Sequence, residues 1–106
     1  MDFQYNNIIE AVKKRRIRWS DHALEEKRAD NLTIAQIKES LLQGEIIEEY
    51  PSDKPLPSCL ILGFAGDTPI HSVVGFNEEN AYIRIITVYI PDTQKFEQNF
   101  KIRRKK

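Results

Sequence analysis

The chain has 106 residues, 41% of them hydrophobic and 30% charged, with 16 basic and 16 acidic side chains and no net charge. That length supports one modest core, so a single domain over residues 1–106 is expected. Zero net charge says nothing about partners, but the basic runs Lys13 to Arg18 and Lys101 to Lys106 suggest a local basic face that can attract phosphates. The lone cysteine, Cys59, excludes an intramolecular disulfide and fits a reducing compartment.

The chain opens with a helical pattern. Asp2 is placed to cap a helix whose stripe is Tyr5, Ile8, Ile9 and Val12. Lys13 to Arg16 would form its last turn, where cations suit the helix dipole. Charge follows the apolar residues here, which is not a signal-peptide layout, and no apolar run approaches the roughly 20 residues that cross a bilayer. A cytoplasmic protein without membrane attachment is expected. Ile17-Arg18-Trp19 alternates and reads as a short extended piece. Ser20 offers an N-cap to "SDHALEEKRAD", with Asp21 in the first turn. Thr33 and Gln36 form a capping-box pattern for a third helix, with Ile34, Ile37 and Leu41 on its face and Gly44 as its stop.

The second part reads as β. "EIIEEY" is a first strand, "DKPLP" is too proline-rich to be regular, and "SCLILGF" is a nearly continuous apolar run, as for a strand covered on both faces. "IHSVVGF" and "AYIRIITVYI" are strands joined at "NEEN", a hairpin signal. Pro91 ends the last strand, and Asp92 is placed to cap a terminal helix holding Phe96 and Phe100. The fold class is α+β: N-terminal helices, then a mainly antiparallel sheet of about four strands, then a C-terminal helix.

Two registers of the hairpin are open. With a two-residue loop at Glu78-Glu79, one face carries Ile70, Ser72, Val74, Phe76, Ala81, Ile83, Ile85, Thr87 and Tyr89 and is the core face. The other carries His71, Val73, Gly75, Tyr82, Arg84, Ile86 and Val88, with His71 diagonal to Arg84. A one-residue change of parity puts His71 on one face with Thr87 and Tyr89 instead.

His22 and His71 are the only histidines. Two imidazoles and a cation suffice for RNA cleavage without a metal: one takes the 2′-hydroxyl proton, the other protonates the leaving oxygen. On that reading His22 and His71 are the acid/base pair, Tyr89 and Thr87 orient them or bond phosphate, and Arg84 stabilises charge. The plainer reading makes His22 a surface residue at a helix start and His71 a hydrogen-bonded sheet residue. The basic residues Arg16 and Arg18 suit phosphate binding, and Tyr82 suits base stacking if its ring is open. His22, Glu25 and Glu26 have a helical spacing that reads as a solvated face rather than a metal site, and no metal or other cofactor is expected. Cys59 reads as a small buried hydrophobe, Trp19 as a core or rim residue, and Ser72 lacks the glycines of a nucleophile elbow.

Four motifs carry a resemblance: a helix-starting His22-Ala23, "GEIIEEYP" at Gly44 to Pro51, Pro69-Ile70-His71 at a strand start, and "TVYIPD" at Thr87 to Asp92. Together they resemble the bacterial domain-of-unknown-function family numbered 4258, with Phe96 where a tryptophan is usual. The resemblance extends over nearly all the chain after Arg16. It implies a distant similarity to RelE-like and BrnT-like toxins, small α+β proteins that cut RNA without a metal and are neutralised by a cognate antitoxin. It also implies that His22, His71, Thr87 and Tyr89 line one site. The alternative is a non-catalytic RNA- or protein-binding module of the same fold.

Overall fold

A computed structural model describes residues 4–92 and 99–103. The elements in chain order are α1 (Tyr5–Lys13), β1 (Ile17–Trp19), α2 (Asp21–Ala29), α3 (Ile34–Leu42), β2 (Glu45–Tyr50), β3 (Ser58–Ala65), β4 (Thr68–Asn77) and β5 (Tyr82–Tyr89). The α+β class stands, with five strands in one sheet, ordered β1-β5-β4-β3-β2. The fifth strand is the short extended piece Ile17–Trp19, which pairs parallel to β5, whereas all other pairs are antiparallel.

Local chemistry sets the helix ends. Thr33 and Gln36 make the full capping box of α3. Ser20 Oγ accepts from the Ala23 amide at 2.9 Å and donates to the Ile86 carbonyl at 2.7 Å, so one hydroxyl caps α2 and ties it to β5. The N-cap of α1 is Gln4, without a side-chain bond, and Asp2 lies outside the described residues. Of the basic run, only Lys13 is helical. Arg15 is left-handed at φ 59°, and this turn swings Arg16 off the helix toward β1. Helix α3 ends at Leu42, but Gly44 is not a left-handed stop. It provides space: a Cβ there would lie 2.5 Å from the Tyr5 hydroxyl and 2.9 Å from the Ser40 carbonyl oxygen.

The helices cover one face of the sheet. Ile8, Ile37 and Leu41 are buried there with Ile61, Ile70, Val74, Ile83, Ile85 and Val88. Burying such side chains is the main stabilising term, about 1.5–3 kcal/mol each. Strand β3 is buried on both faces, as its apolar run requires. Where β1 ends, α2 takes over the edge of β5. Glu26 accepts from the Val88 amide at 3.1 Å, and Asp30 accepts from the Ile90 amide at 2.9 Å.

The hairpin contains both registers. Near the loop, Asn77 faces Tyr82, Phe76 faces Ile83 and Gly75 faces Arg84. The loop is 78–81, two residues longer than the tightest case, which keeps the first parity. A bulge between Val73 and Val74 then shifts the pairing, so Val73 faces Thr87 and His71 faces Tyr89. The bulge corrects the first assignment of faces. Val88 is in the core, and Thr87 and Tyr89 share the helix-free face with His71.

The expected C-terminal helix falls largely on residues 93–98, outside the described residues. Phe100, assigned to it, has φ 60° and is not in a right-handed helix. Residues 99–103 form a strap whose contacts lie along the helix-free face.

Candidate nucleic-acid interface and histidine cluster

The helix-free face has two chemically different ends. His71 is the centre of one. The strand alternation points it away from the helices, and the strap completes its burial to 0% exposure. Its Nε2 lies 2.7 Å from the Phe100 carbonyl oxygen, and its Nδ1 lies 3.3 Å from the Tyr89 hydroxyl. A carbonyl only accepts, so the network assigns the proton to Nε2 and makes Nδ1 the acceptor for Tyr89. The two rings meet edge to face, 5.4 Å between centroids. Burial holds the imidazole pKa below its ordinary value, assisted by the Arg103 charge and opposed by the Phe100 bond and Glu48. His71 is therefore a neutral, satisfied imidazole at pH 7.

Glu48, Tyr50 and Arg103 lie beside it. The Arg103 guanidinium grips Glu48 in a fork, Nε to Oε2 at 3.0 Å and Nη2 to Oε1 at 3.1 Å. The Tyr50 hydroxyl donates to Glu48 and bonds Arg103 as well. Burial pushes the Glu48 carboxyl up, but the bonds from Arg103 and Tyr50 outweigh it and hold it below the usual range. Burial and the bond to Glu48 push the Tyr50 phenol up to about 12. None of this trio was singled out from the sequence. The available signal was that Glu48 and Tyr50 are two apart in a strand and therefore share a face.

The depressed imidazole has a consequence for stability. Its contribution is complete above the ordinary value near 6.5 and is lost as pH falls toward the lowered folded value, because the unfolded chain then binds the extra proton. Urea midpoints are expected to drop between pH 7 and pH 5, and His71→Gln is expected to flatten that dependence. A dependence unchanged in His71→Gln would refute the assignment. The Glu48 contribution is lost separately, below its ordinary value of 4.5.

The other end is basic. Arg18 on β1 faces Arg84 on β5, and the Arg18 guanidinium lies over the Tyr82 ring, 4.2 Å from its centroid. Arg15, Arg16, Arg18, Asn80 and Tyr82 line a groove of about 420 Å³. Arg16 also borders a second groove of about 300 Å³ with Asn7, Glu10, Lys14 and Phe76. Among the described residues, no carboxylate is within ion-pair reach of Arg15, Arg16, Arg18 or Arg84. The two edges of the sheet differ in charge. The β1 edge is basic, and the β2 edge carries Glu45, Glu48 and Glu49. The C-terminal cations Lys101 and Arg103 do not extend the basic end, since they pair with Glu45 and Glu48.

The structure sorts the sequence candidates accordingly. Arg16, Arg18, Tyr82 and Arg84 come together. His71 and Tyr89 come together, with Thr87 on the same face. Arg84 is not diagonal to His71: it faces Gly75, four residues along β4, or about 13 Å. The longer loop and the bulge cause that displacement. His22 is on α2, its side chain 66% exposed, with Nε2 3.3 Å from Glu26 Oε1. Glu26 in turn holds the Val88 amide, one residue from Tyr89. Cys59 is fully buried, and burial pushes its thiol up to about 12. Ser72 is buried in the core, its hydroxyl without a hydrogen-bond partner among the described residues. Among the described residues, no helix is long and apolar enough to cross a membrane, and no group of three or more His, Cys, Asp or Glu could hold a metal ion.

These features define an α+β domain with helices on one face of a mostly antiparallel sheet and a polar, charge-segregated second face. The family model described as Domain of unknown function (DUF4258) matches residues 19–90, and the chain belongs to that family. No curated protein and no solved structure matches the chain. The matched span holds His22, His71, Tyr82, Arg84, Thr87 and Tyr89, whereas Arg15, Arg16, Arg18 and the strap lie outside it.

Proposed function

We propose that the protein is a binding module for single-stranded RNA, which it holds at the basic end of the helix-free face. The observation that carries this reading is a groove lined by Arg15, Arg16, Arg18 and an arginine-stacked tyrosine, with Arg84 paired opposite Arg18 and no carboxylate in ion-pair reach of the four among the described residues. Like charges facing each other across a strand pair cost stability. Arg18 and Arg84 are so placed, and a phosphate between them would turn that repulsion into attraction. Tyr82 and the Arg18 plane supply a flat platform for a base.

A second reading is a metal-independent endoribonuclease of the toxin type, neutralised by a cognate antitoxin. The His71–Tyr89 contact on the same face favours it. There His22 and His71 would be the acid/base pair, with Tyr89 and Thr87 as their supports. The resting imidazole is buried and satisfied at both nitrogens, which favours the binding module.

One experiment separates the two. A labelled unstructured RNA is titrated with the protein in EDTA, and the RNA is then resolved on a gel. The module reading predicts saturable binding of intact RNA, weakened roughly 5- to 100-fold in Tyr82→Ala, as expected for the loss of one stacked base. The nuclease reading predicts 2′,3′-cyclic phosphate ends that vanish in both His22→Ala and His71→Ala. No binding by the wild-type chain would sink the first reading, and cleavage surviving both substitutions would sink the second.

A further inference from the structure

The acidic half of the helix-free face is filled by the chain's own strap, and the way it is filled resembles the binding of a ligand. Three recognition contacts fall within four residues. The His71 Nε2–H donates to the main-chain carbonyl of Phe100 at 2.7 Å. Glu45 pairs with Lys101 at 2.8 Å. Glu48 takes Arg103 in a two-bond fork, with the Tyr50 hydroxyl as a further partner of the guanidinium. A carboxylate fork of this kind reads the planar guanidinium and not merely positive charge. The pocket floor is preorganised, because Tyr50 is bonded to Glu48 and His71 is fixed by Tyr89. The occupant fits less well. Phe100 is left-handed at φ 60°, a conformation that disfavours a residue with a side chain, and Arg103 remains largely exposed.

We propose that this acidic half is a docking site for an extended, arginine-bearing segment of a partner protein, with residues 100–103 occupying it in cis as a stand-in. The site is independent of the RNA reading, since it uses the opposite edge of the sheet. A tethered segment competes at an effective concentration that reaches the millimolar range, so an outside segment binds well only when the strap is weakened.

The test uses the full-length chain and a fluorescent peptide of sequence NFKIRRKK, which is residues 99–106. Lys101→Glu/Arg103→Glu weakens the strap at exposed positions, and Arg103→Ala does so without reversing charge. Both variants are expected to bind the peptide saturably and at least about 10-fold more tightly than the wild type. Adding Glu48→Gln to Arg103→Ala is expected to abolish that gain. A peptide with lysine at the position of Arg103 is expected to bind at least about 5-fold more weakly, because it loses the fork. Failure of both strap variants to bind would overturn the proposal. So would affinity indifferent to Glu48→Gln or to the lysine peptide, because charge attraction alone would then account for it.

Discussion

Gly63→Ala is expected to destabilise the protein by at least about 3 kcal/mol, the range of severe overpacking. Gly63 is on β3 where α3 crosses it. A Cβ there would lie 1.9 Å from the Ser40 carbonyl oxygen and 2.5 Å from its carbonyl carbon. Both atoms are backbone, so no rotamer change relieves the clash. The Ser40 hydroxyl donates to the Ile37 carbonyl at 2.7 Å, and Ser40 and Ile37 are both buried, which fixes that turn further. Accommodation requires α3 to lift from the sheet and to loosen Ile37 and Leu41. For a domain of this size a loss of 3 kcal/mol corresponds to a fall of roughly 12–24 °C in Tm. Gly75→Ala is the internal comparison. Its Cβ would lie 3.3 Å from the Leu56 Cβ, a tight contact that a shift of a few tenths of an ångström relieves, so a much smaller change, within about 1 kcal/mol, is expected. Thermal melts of the two variants check the pair, and equal losses would contradict the close approach at Ser40.

Arg18→Glu/Arg84→Glu is expected to weaken RNA binding by at least about 100-fold, since two charge-assisted contacts of roughly 1.5–3 kcal/mol each are lost. The same logic gives a signature that a purely structural role would not. The two arginines are partners in the β1–β5 register and have no acid partner among the described residues. Arg84→Glu alone converts a like-charge pair into an opposite-charge pair, so it is expected to leave stability unchanged or raise it by a few tenths of a kcal/mol while still weakening RNA. Loss of affinity together with loss of folding would instead assign these residues to the scaffold.

The legible parts of the fold were those written in local chemistry. Ser20 and the Thr33/Gln36 box name the starts of α2 and α3 directly, and the apolar run of β3 states its burial on both faces. Gly44 was legible as a helix boundary but not as space for Tyr5, because that contact is made by a distant helix. The β4–β5 pairing shows the limit most clearly. Loop composition fixes that a hairpin forms, but opposite Val73/Val74 the β5 strand carries one extra residue, Ile86, and alternation along one strand cannot show it. That single residue decides whether Tyr89 or Val88 enters the core. The candidate site was partly legible. Arg16, Arg18, Tyr82 and Arg84 were singled out by residue type, and the parallel pairing of β1 with β5 brings them together. Glu48, Tyr50 and Arg103 were not, because their link joins residues 55 positions apart.

The most direct test of the central claim is the salt dependence of RNA affinity. If about four guanidiniums neutralise phosphates, log K against log salt is expected to have a slope of roughly −2.8, at about −0.7 per contact for a single strand. Arg18→Glu/Arg84→Glu is then expected to bring the slope to roughly −1.4 or shallower. A wild-type slope near zero, or one unmoved by the double substitution, would contradict the account.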